Sequence, residues 1–293
     1  MTQHIFLHIP KTAGSSVRTL IQQNYPAEAT IGFSGEPGPL DWYRRSPRTL
    51  KEKFQLVHGH FPHGMHEGVT DYTYFTFLRN PIDRHFSDYF FLKRYEGHPM
   101  QEALASGRIT LQDWATIHER MPMYRDMSTR IVSGEADVRD PDRMSLERSK
   151  YLLATDFAFV GLAERFDESV LILARRLGWS SVFYLSKNVS ANRTPIADDL
   201  RAAAASGFSR DLELYAFGRE LFEAAPELRD PLFPHALREY RDACEWLASQ
   251  VGNDLHALFE VGFDLPPLDR LVRQHRSTPA LDRFLGVSSR QAA

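Results

Sequence analysis

The segment HIPKTAGSS, residues 8–16, ends an apolar run with a turn of small residues that holds one lysine. Small residues let backbone N–H groups approach an anion closely, and the first turn of a following helix adds its partial positive charge. Lys11 adds a full charge, and Thr12, Ser15 and Ser16 add hydroxyl donors around Ala13 and Gly14. That chemistry binds a phosphate. It is not the Walker A loop, GxxxxGK[ST], because here the lysine precedes the glycine. A strand-to-helix connection with a solvated lysine is the plainer alternative.

His58 and His60 flank Gly59 at the end of a second apolar run. At period two their side chains share one face if the strand stays extended. A neutral imidazole, with an ordinary pKa of about 6.5, can take a proton from an attacking hydroxyl near neutral pH. His63 and His66 follow closely, so a metal site competes with this reading, as do histidines simply hydrogen-bonded in a loop. No cysteine is near and no HExxH pattern appears, so no metal is expected. Arg79 and Ser87 belong to a third motif, LRNPIDRHFSDY. Arg79 leaves a strand and can offer a two-pronged guanidinium to a phosphate, and Ser87 can donate a hydroxyl hydrogen bond.

These residues need elements to hold them. His4–His8 reads as a short buried strand and Ser15–Asn24 as a helix with Val17, Leu20 and Ile21 on one face. Residues 25–47, with SGEPGP at their centre, read as a long loop. FQLVHGHF and YTYFTFLRN read as the second and third strands. Asn80 and Pro81 suit the cap and first position of a helix that runs through Tyr95 and stops at Gly97. The chain to about Asp156 reads as mostly helical, FAFVGL as a fourth strand, and DESVLILARRLGW as a helix stopped by Gly178. From Ala197 onward the pattern is helical. Strands alternating with helices predict an α/β fold with a parallel central sheet flanked by helices. Each of the three motifs falls just after a strand, where such sheets bind ligands, but the order of the strands is not legible.

HIPKTAGSS followed by FLRNPIDRHFSDY resembles the nucleotide-binding pair of the PAPS-dependent sulfotransferases. The resemblance is to the carbohydrate branch that includes heparan sulfate 2-O-sulfotransferase and its bacterial relatives. It covers about Ile5 to Thr194, roughly two-thirds of the chain. It implies a P-loop-type fold in which Lys11 touches the phosphosulfate of the donor. The backbone of Thr12, Ala13, Gly14, Ser15 and Ser16 then cradles the 5′-phosphate, and Arg79 and Ser87 hold the 3′-phosphate. The polar stretch KNVSANR resembles the loop that closes over the adenosine and 3′-phosphate, with Lys187, Ser190 and Arg193 as candidates. The resemblance also supports a His-x-His base. One imidazole takes the hydroxyl proton and the other orients it or the acceptor, with His60 preferred as the base. The implied co-substrate is PAPS, the implied product 3′,5′-ADP, and no metal is required.

Two other functions compete. A kinase-like phosphotransferase needs a lysine after the glycine and a carboxylate for Mg²⁺, and neither is clear. A non-catalytic nucleotide-binding protein of the same fold predicts donor binding without turnover. The acceptor is expected to be a carbohydrate or another hydroxyl-bearing molecule. YFFLKR, residues 89–94, and DWYRR, residues 41–45, are candidates to line its groove. Phe86, Tyr89, Phe90 and Tyr95 equally fit the core stripe of a helix.

The 293 residues carry a formal net charge of -3, which argues against bulk nucleic-acid binding. There is a single cysteine, Cys244, so no disulfide forms within the chain, and it reads as a packing residue. No membrane span and no leader are expected, which makes a cytoplasmic enzyme the default. Residues 1–225 are expected to form the PAPS-binding domain, and 226–293 a helical C-terminal extension packing on it.

Overall fold

The computed structural model describes residues 2–135, 144–184, 195–251 and 268–287. Five apolar segments pair into one sheet: β1 (Gln3–Leu7), β2 (Thr30–Phe33), β3 (Leu56–Gly59), β4 (Tyr72–Leu78) and β5 (Phe157–Leu162). Their order is β2-β3-β1-β4-β5 and every pairing is parallel. Ile5, Phe6 and Leu7 are all buried, the pattern of a strand covered on both faces. This is the parallel α/β fold expected from the alternation of strands and helices, and of the P-loop type that the resemblance implies.

Parallel strands need long crossovers, and helices supply them. In chain order they begin with α1 (Gly14–Asn24), α2 (Pro37–Arg45), α3 (Arg48–Lys51) and α4 (Pro81–Leu92). A helical layer follows: α5 (Gln101–Ala105), α6 (Leu111–Ala115), α7 (Ile117–Arg120), α8 (Met127–Ser133) and α9 (Leu146–Thr155). After β5 come α10 (Phe166–Leu177), α11 (Asp198–Ala205), α12 (Ser209–Glu223) and α13 (Phe233–Val251). Two more helices span Leu268–His275 and Pro279–Leu285. Tyr240 of α13 stacks on Phe183 at 5.7 Å. Tyr240, Leu247 and Leu281 share one buried core with Ile5 and Leu171. On α13, burial pushes the Cys244 thiol up to about 12. Among the described residues no helix is long and apolar enough to cross a membrane.

Residues 25–47 are not a loop. They hold β2 and α2. The glycine and prolines that suggest a loop have other uses here. Gly32 lies beside His58 in the ladder, and a Cβ on it would sit 2.6 Å from the His58 ring. Pro37 opens α2, where a missing N–H costs nothing. Leu40 and Tyr43 then turn inward.

The start of α4 follows the sequence. The Asn80 side chain accepts hydrogen bonds from the Ile82 and Asp83 N–H groups, and Pro81 takes the first position. Its end comes at Leu92 rather than near Gly97, because Tyr95 N–H bonds the Leu92 carbonyl in a tighter turn. Phe86, Tyr89 and Leu92 pack with Trp114 and Phe208 in a second core beneath α4.

A pair of buried carboxylates ties α12 to the start of α8. Asp211 of α12 accepts from Ser128 N–H at 3.0 Å, Thr129 N–H at 2.7 Å and the Thr129 hydroxyl at 2.8 Å, which caps α8. Asp126 accepts from Asp211 N–H at 2.9 Å. Burial, and then the charge of Asp211, push the Asp126 carboxyl up to about 6. The unfolded chain releases this proton near pH 4. Between there and about 6 it therefore binds fewer protons than the fold, and stability falls as pH rises. Asp126→Asn keeps an oxygen acceptor and suits the left-handed backbone at φ 40°. The variant should melt about 2–4 °C higher than the parent at pH 8 and no higher at pH 4, read by calorimetry.

Candidate active site

β1 is flanked by β3 and β4, and their carboxyl ends carry the three motifs. Leu7 is in register with Gly59, and Phe6 with Phe75. The turns after the three strands therefore open on one edge of the sheet.

The turn after β1 is strained. Lys11 has φ 67° and Ala13 φ 70°, and these are two of the three non-glycine residues with positive φ among those described. Each such residue costs about 1–2 kcal/mol. The Thr12 hydroxyl donates to the Ile9 carbonyl at 2.8 Å, so it braces the turn from within and does not face a ligand. No side chain caps the start of α1, where Ala13 is the half-in residue. The Ser16 and Val17 N–H groups donate to the Ala13 carbonyl at 3.1 and 3.2 Å, so the donors left for an anion at this helix end are those that precede Ser16. Gly14 is needed for contact: a Cβ there would lie 1.7 Å from His8 Nε2.

Lys11 and Arg79 meet. Arg79 Nη1 donates to the Lys11 carbonyl at 3.2 Å, which ties the turn after β4 to the turn after β1. The Lys11 ammonium lies 3.7 Å from the ring centroid of Phe91 on α4, and Phe91 stacks on Tyr95 at 5.2 Å. Asp83, in the first turn of α4, pairs with Arg201 at 2.7 Å. Ser87 is half-buried on α4. Asp88, beside it, is buried, and burial raises its carboxyl above the usual range while Arg84, Lys11, His98 and His60 pull it back down.

The two histidines stand at the end of β3, with His58 inside the strand and His60 just past it. Gly59 between them takes φ 140° yet stays paired with Leu7 and Phe33. Burial lowers the pKa of His8, and both imidazoles lie close enough to lower it further. His58 packs over Gly32. His60 turns to β1: its ring lies 4.2 Å from the His8 ring, and its Nδ1 is 2.9 Å from the His8 carbonyl. A carbonyl only accepts, so Nδ1 carries the proton and Nε2 keeps a lone pair. Burial lowers the pKa of both His58 and His60, and Arg18 lowers each further.

His63 and His66 are placed elsewhere. His63 Nε2 lies 3.0 Å from Asp156, just before β5, and His66 stacks on Tyr72 at the start of β4. Among the described residues no group of three or more His, Cys, Asp or Glu side chains could hold a metal ion. Lys187, Ser190 and Arg193 lie outside the described residues. Of the two candidate acceptor stretches, DWYRR lies on α2, with Tyr43 buried and Trp42 53% exposed. In YFFLKR the buried members are Tyr89 and Leu92, whereas Phe91 is 39% and the nearby Tyr95 52% exposed.

Sequence reasoning passed over His8, Asp88 and Phe91. All three stand inside quoted motifs. Their types gave a signal, but their directions depend on how β1 and α4 sit against the turns.

A model described as "Sulfotransferase family" matches residues 2–215. No curated protein matches the chain. Among solved structures, the mouse sulfotransferase SULT7A1 complexed with PAP is 13% identical, with a TM-score of 0.35. That match covers 70% of this chain and 62% of the mouse chain, less than two-thirds of the latter. A sulfotransferase from Alicyclobacillus acidocaldarius is 19% identical, with a TM-score of 0.39, over 73% of this chain and 95% of its own.

The hydrogen bond to the His8 carbonyl predicts one His60 tautomer. Nitrogen-15 spectra of the imidazoles at pH 8 should show His60 protonated at Nδ1 alone, and its titration midpoint should fall below the usual 6.5.

Proposed function

The chain belongs to the sulfotransferase family, and from that premise we propose that it moves a sulfuryl group from PAPS to a hydroxyl of a carbohydrate or glycoconjugate. On this reading it sits in the branch that includes heparan sulfate 2-O-sulfotransferase and its bacterial relatives. The observation that carries the reading is that, at the ends of three adjacent strands, Arg79 bonds the Lys11 carbonyl and His60 bonds the carbonyl of His8, three positions before Lys11.

The roles follow from the chemistry of each group. The backbone of residues 12–16 cradles the 5′-phosphate of the donor, at the uncapped start of α1. Arg79 and Ser87 hold the 3′-phosphate, Arg79 braced by its bond to the turn. Lys187, Ser190 and Arg193 close over the adenosine and that same phosphate. His60 Nε2 takes the proton of the acceptor hydroxyl as its oxygen attacks sulfur. On the far side the sulfur–oxygen bond to the phosphate breaks, and its electron pair stays on the leaving 3′,5′-ADP. Lys11 and the helix-end N–H groups stabilise that charge, and Lys11 exchanges the Phe91 ring for phosphate oxygens. His58 orients the base or the acceptor. No step requires a metal. Residues 1–225 form the donor-binding unit and 226–293 the extension packed on it, in a cytoplasmic enzyme.

Calorimetry with 3′,5′-ADP and with ATP plus Mg²⁺ tests the donor. The bisphosphate should bind tighter, and Arg79→Gln should weaken it by about 10–100-fold, the value of a charge-assisted bond. With labelled PAPS and a panel of glycans, Lys11→Ala should slow transfer on the order of 10²–10³-fold. His60→Ala should stop transfer while leaving 3′,5′-ADP binding intact. Tighter binding of ATP points to the phosphotransferase reading. Donor binding without turnover on any acceptor points to the non-catalytic one.

A further inference from the structure

We infer that His8 is a positioning residue, which locks the His60 imidazole to the donor-binding turn through its own ring and carbonyl. The inference rests on the reading of His60 as the base. His8 is the first residue after β1 and lies three positions before Lys11. Its ring is held on one side by Phe6, at 5.3 Å and 14° between planes, and contacts His60 at 4.2 Å and 30°. Its edge fills the space that a side chain at position 14 would need, with Nε2 where a Gly14 Cβ would fall. One flat ring thus touches the strand, the start of α1 and the base.

The backbone repeats the connection. His8 N–H donates to the Gly59 carbonyl at 3.0 Å, and His60 N–H donates to the Phe33 carbonyl at 3.0 Å. The His8 carbonyl accepts from His60 Nδ1 at 2.9 Å. The His60 ring is therefore fixed in tautomer by the His8 carbonyl and in direction by the His8 ring. A shift of the turn when the donor binds must move His8, and with it the base. Burial, with His60, Arg18, His58 and Lys11 nearby, holds His8 neutral, so it adds no charge when His60 takes up a proton. A misplacement of about 1 Å in such a group can cost on the order of 10²-fold in rate.

His60 itself is faced by His8, by Arg18 of α1, by Asp88 of α4 and by Glu36 at the start of α2. Substitutions at His8 leave the last three in place. The test uses His8→Phe, which keeps a flat ring of similar size, and His8→Leu, which keeps apolar bulk without one. His8→Ala removes both. The primary readout needs no acceptor: the imidazole spectra of His60 across pH, with and without 3′,5′-ADP. In the parent protein and in His8→Phe, the His60 signals should show a single tautomer, a lowered midpoint and a shift on adding 3′,5′-ADP. In His8→Leu and His8→Ala the carbonyl remains but the ring that aims the imidazole at it is gone, so the tautomers should mix and the response to 3′,5′-ADP should fall by half or more. Affinity for 3′,5′-ADP should stay within about threefold of the parent in His8→Phe and His8→Leu, while kcat for sulfate transfer falls about 10–100-fold in His8→Leu alone.

Parent-like His60 spectra in His8→Leu overturn the inference. If His8→Ala does not fold, the comparison of Phe with Leu still decides it. Turnover that survives His60→Ala overturns the base assignment instead. The spectra then still report whether His8 holds His60, so the two failures are distinguishable.

Discussion

Leu7 lies beside Gly59 in one ladder, and Phe6 lies beside Phe75 in the next. That double pairing of β1 is the constraint on which the site depends. A strand ladder fixes its neighbours to within about 5 Å sideways. Three turns that are far apart in the chain are therefore held close, with no side chain needed to draw them together. Parallel pairing also sends all three turns to the same edge. Had β1 lain at the edge of the sheet, only one of the other two motifs could have been its neighbour.

The turn after β1 illustrates how a rigid frame sustains strain. Two left-handed excursions, at Lys11 and Ala13 on either side of Thr12, are unfavourable on their own. They persist because the turn is fastened on several sides. Thr12 bonds Ile9 from within, Arg79 bonds the Lys11 carbonyl from β4, and His8 fills the gap over Gly14. The result is a run of backbone N–H groups at an uncapped helix end, set before any ligand arrives. Preorganised dipoles of this kind need not reorganise as charge develops.

The histidines show the same sequence neighbourhood put to two uses. His60 is tied to His8, while His63 and His66 bond and stack on Asp156, Tyr74 and Tyr72. Burial holds His63 down to about 4, so it acts there as a neutral donor to a carboxylate. The aromatic residues of α4 divide in a similar way. Phe86 and Tyr89 face the second core, and Phe91 faces the ammonium of Lys11. A helix turns about 100° per residue, so neighbours in sequence must serve different surroundings.

The sequence by itself determined the strand–turn–helix at residues 3–24, the cap at Asn80 and the parallel α/β class. Those depend on local chemistry: apolar runs, small residues in a turn, an amide that bonds its own helix. It also placed Lys11, Arg79 and the histidine pair after strands. It misled at residues 25–47, where Gly32 and Pro37 look like loop residues until the neighbouring His58 and the helix start that use them are known. Strand order, the turn of His60 toward His8, and the seating of Lys11 over Phe91 came only from the tertiary structure. Each is a contact between residues 26 or more positions apart, and no local pattern encodes which distant partner a residue will meet.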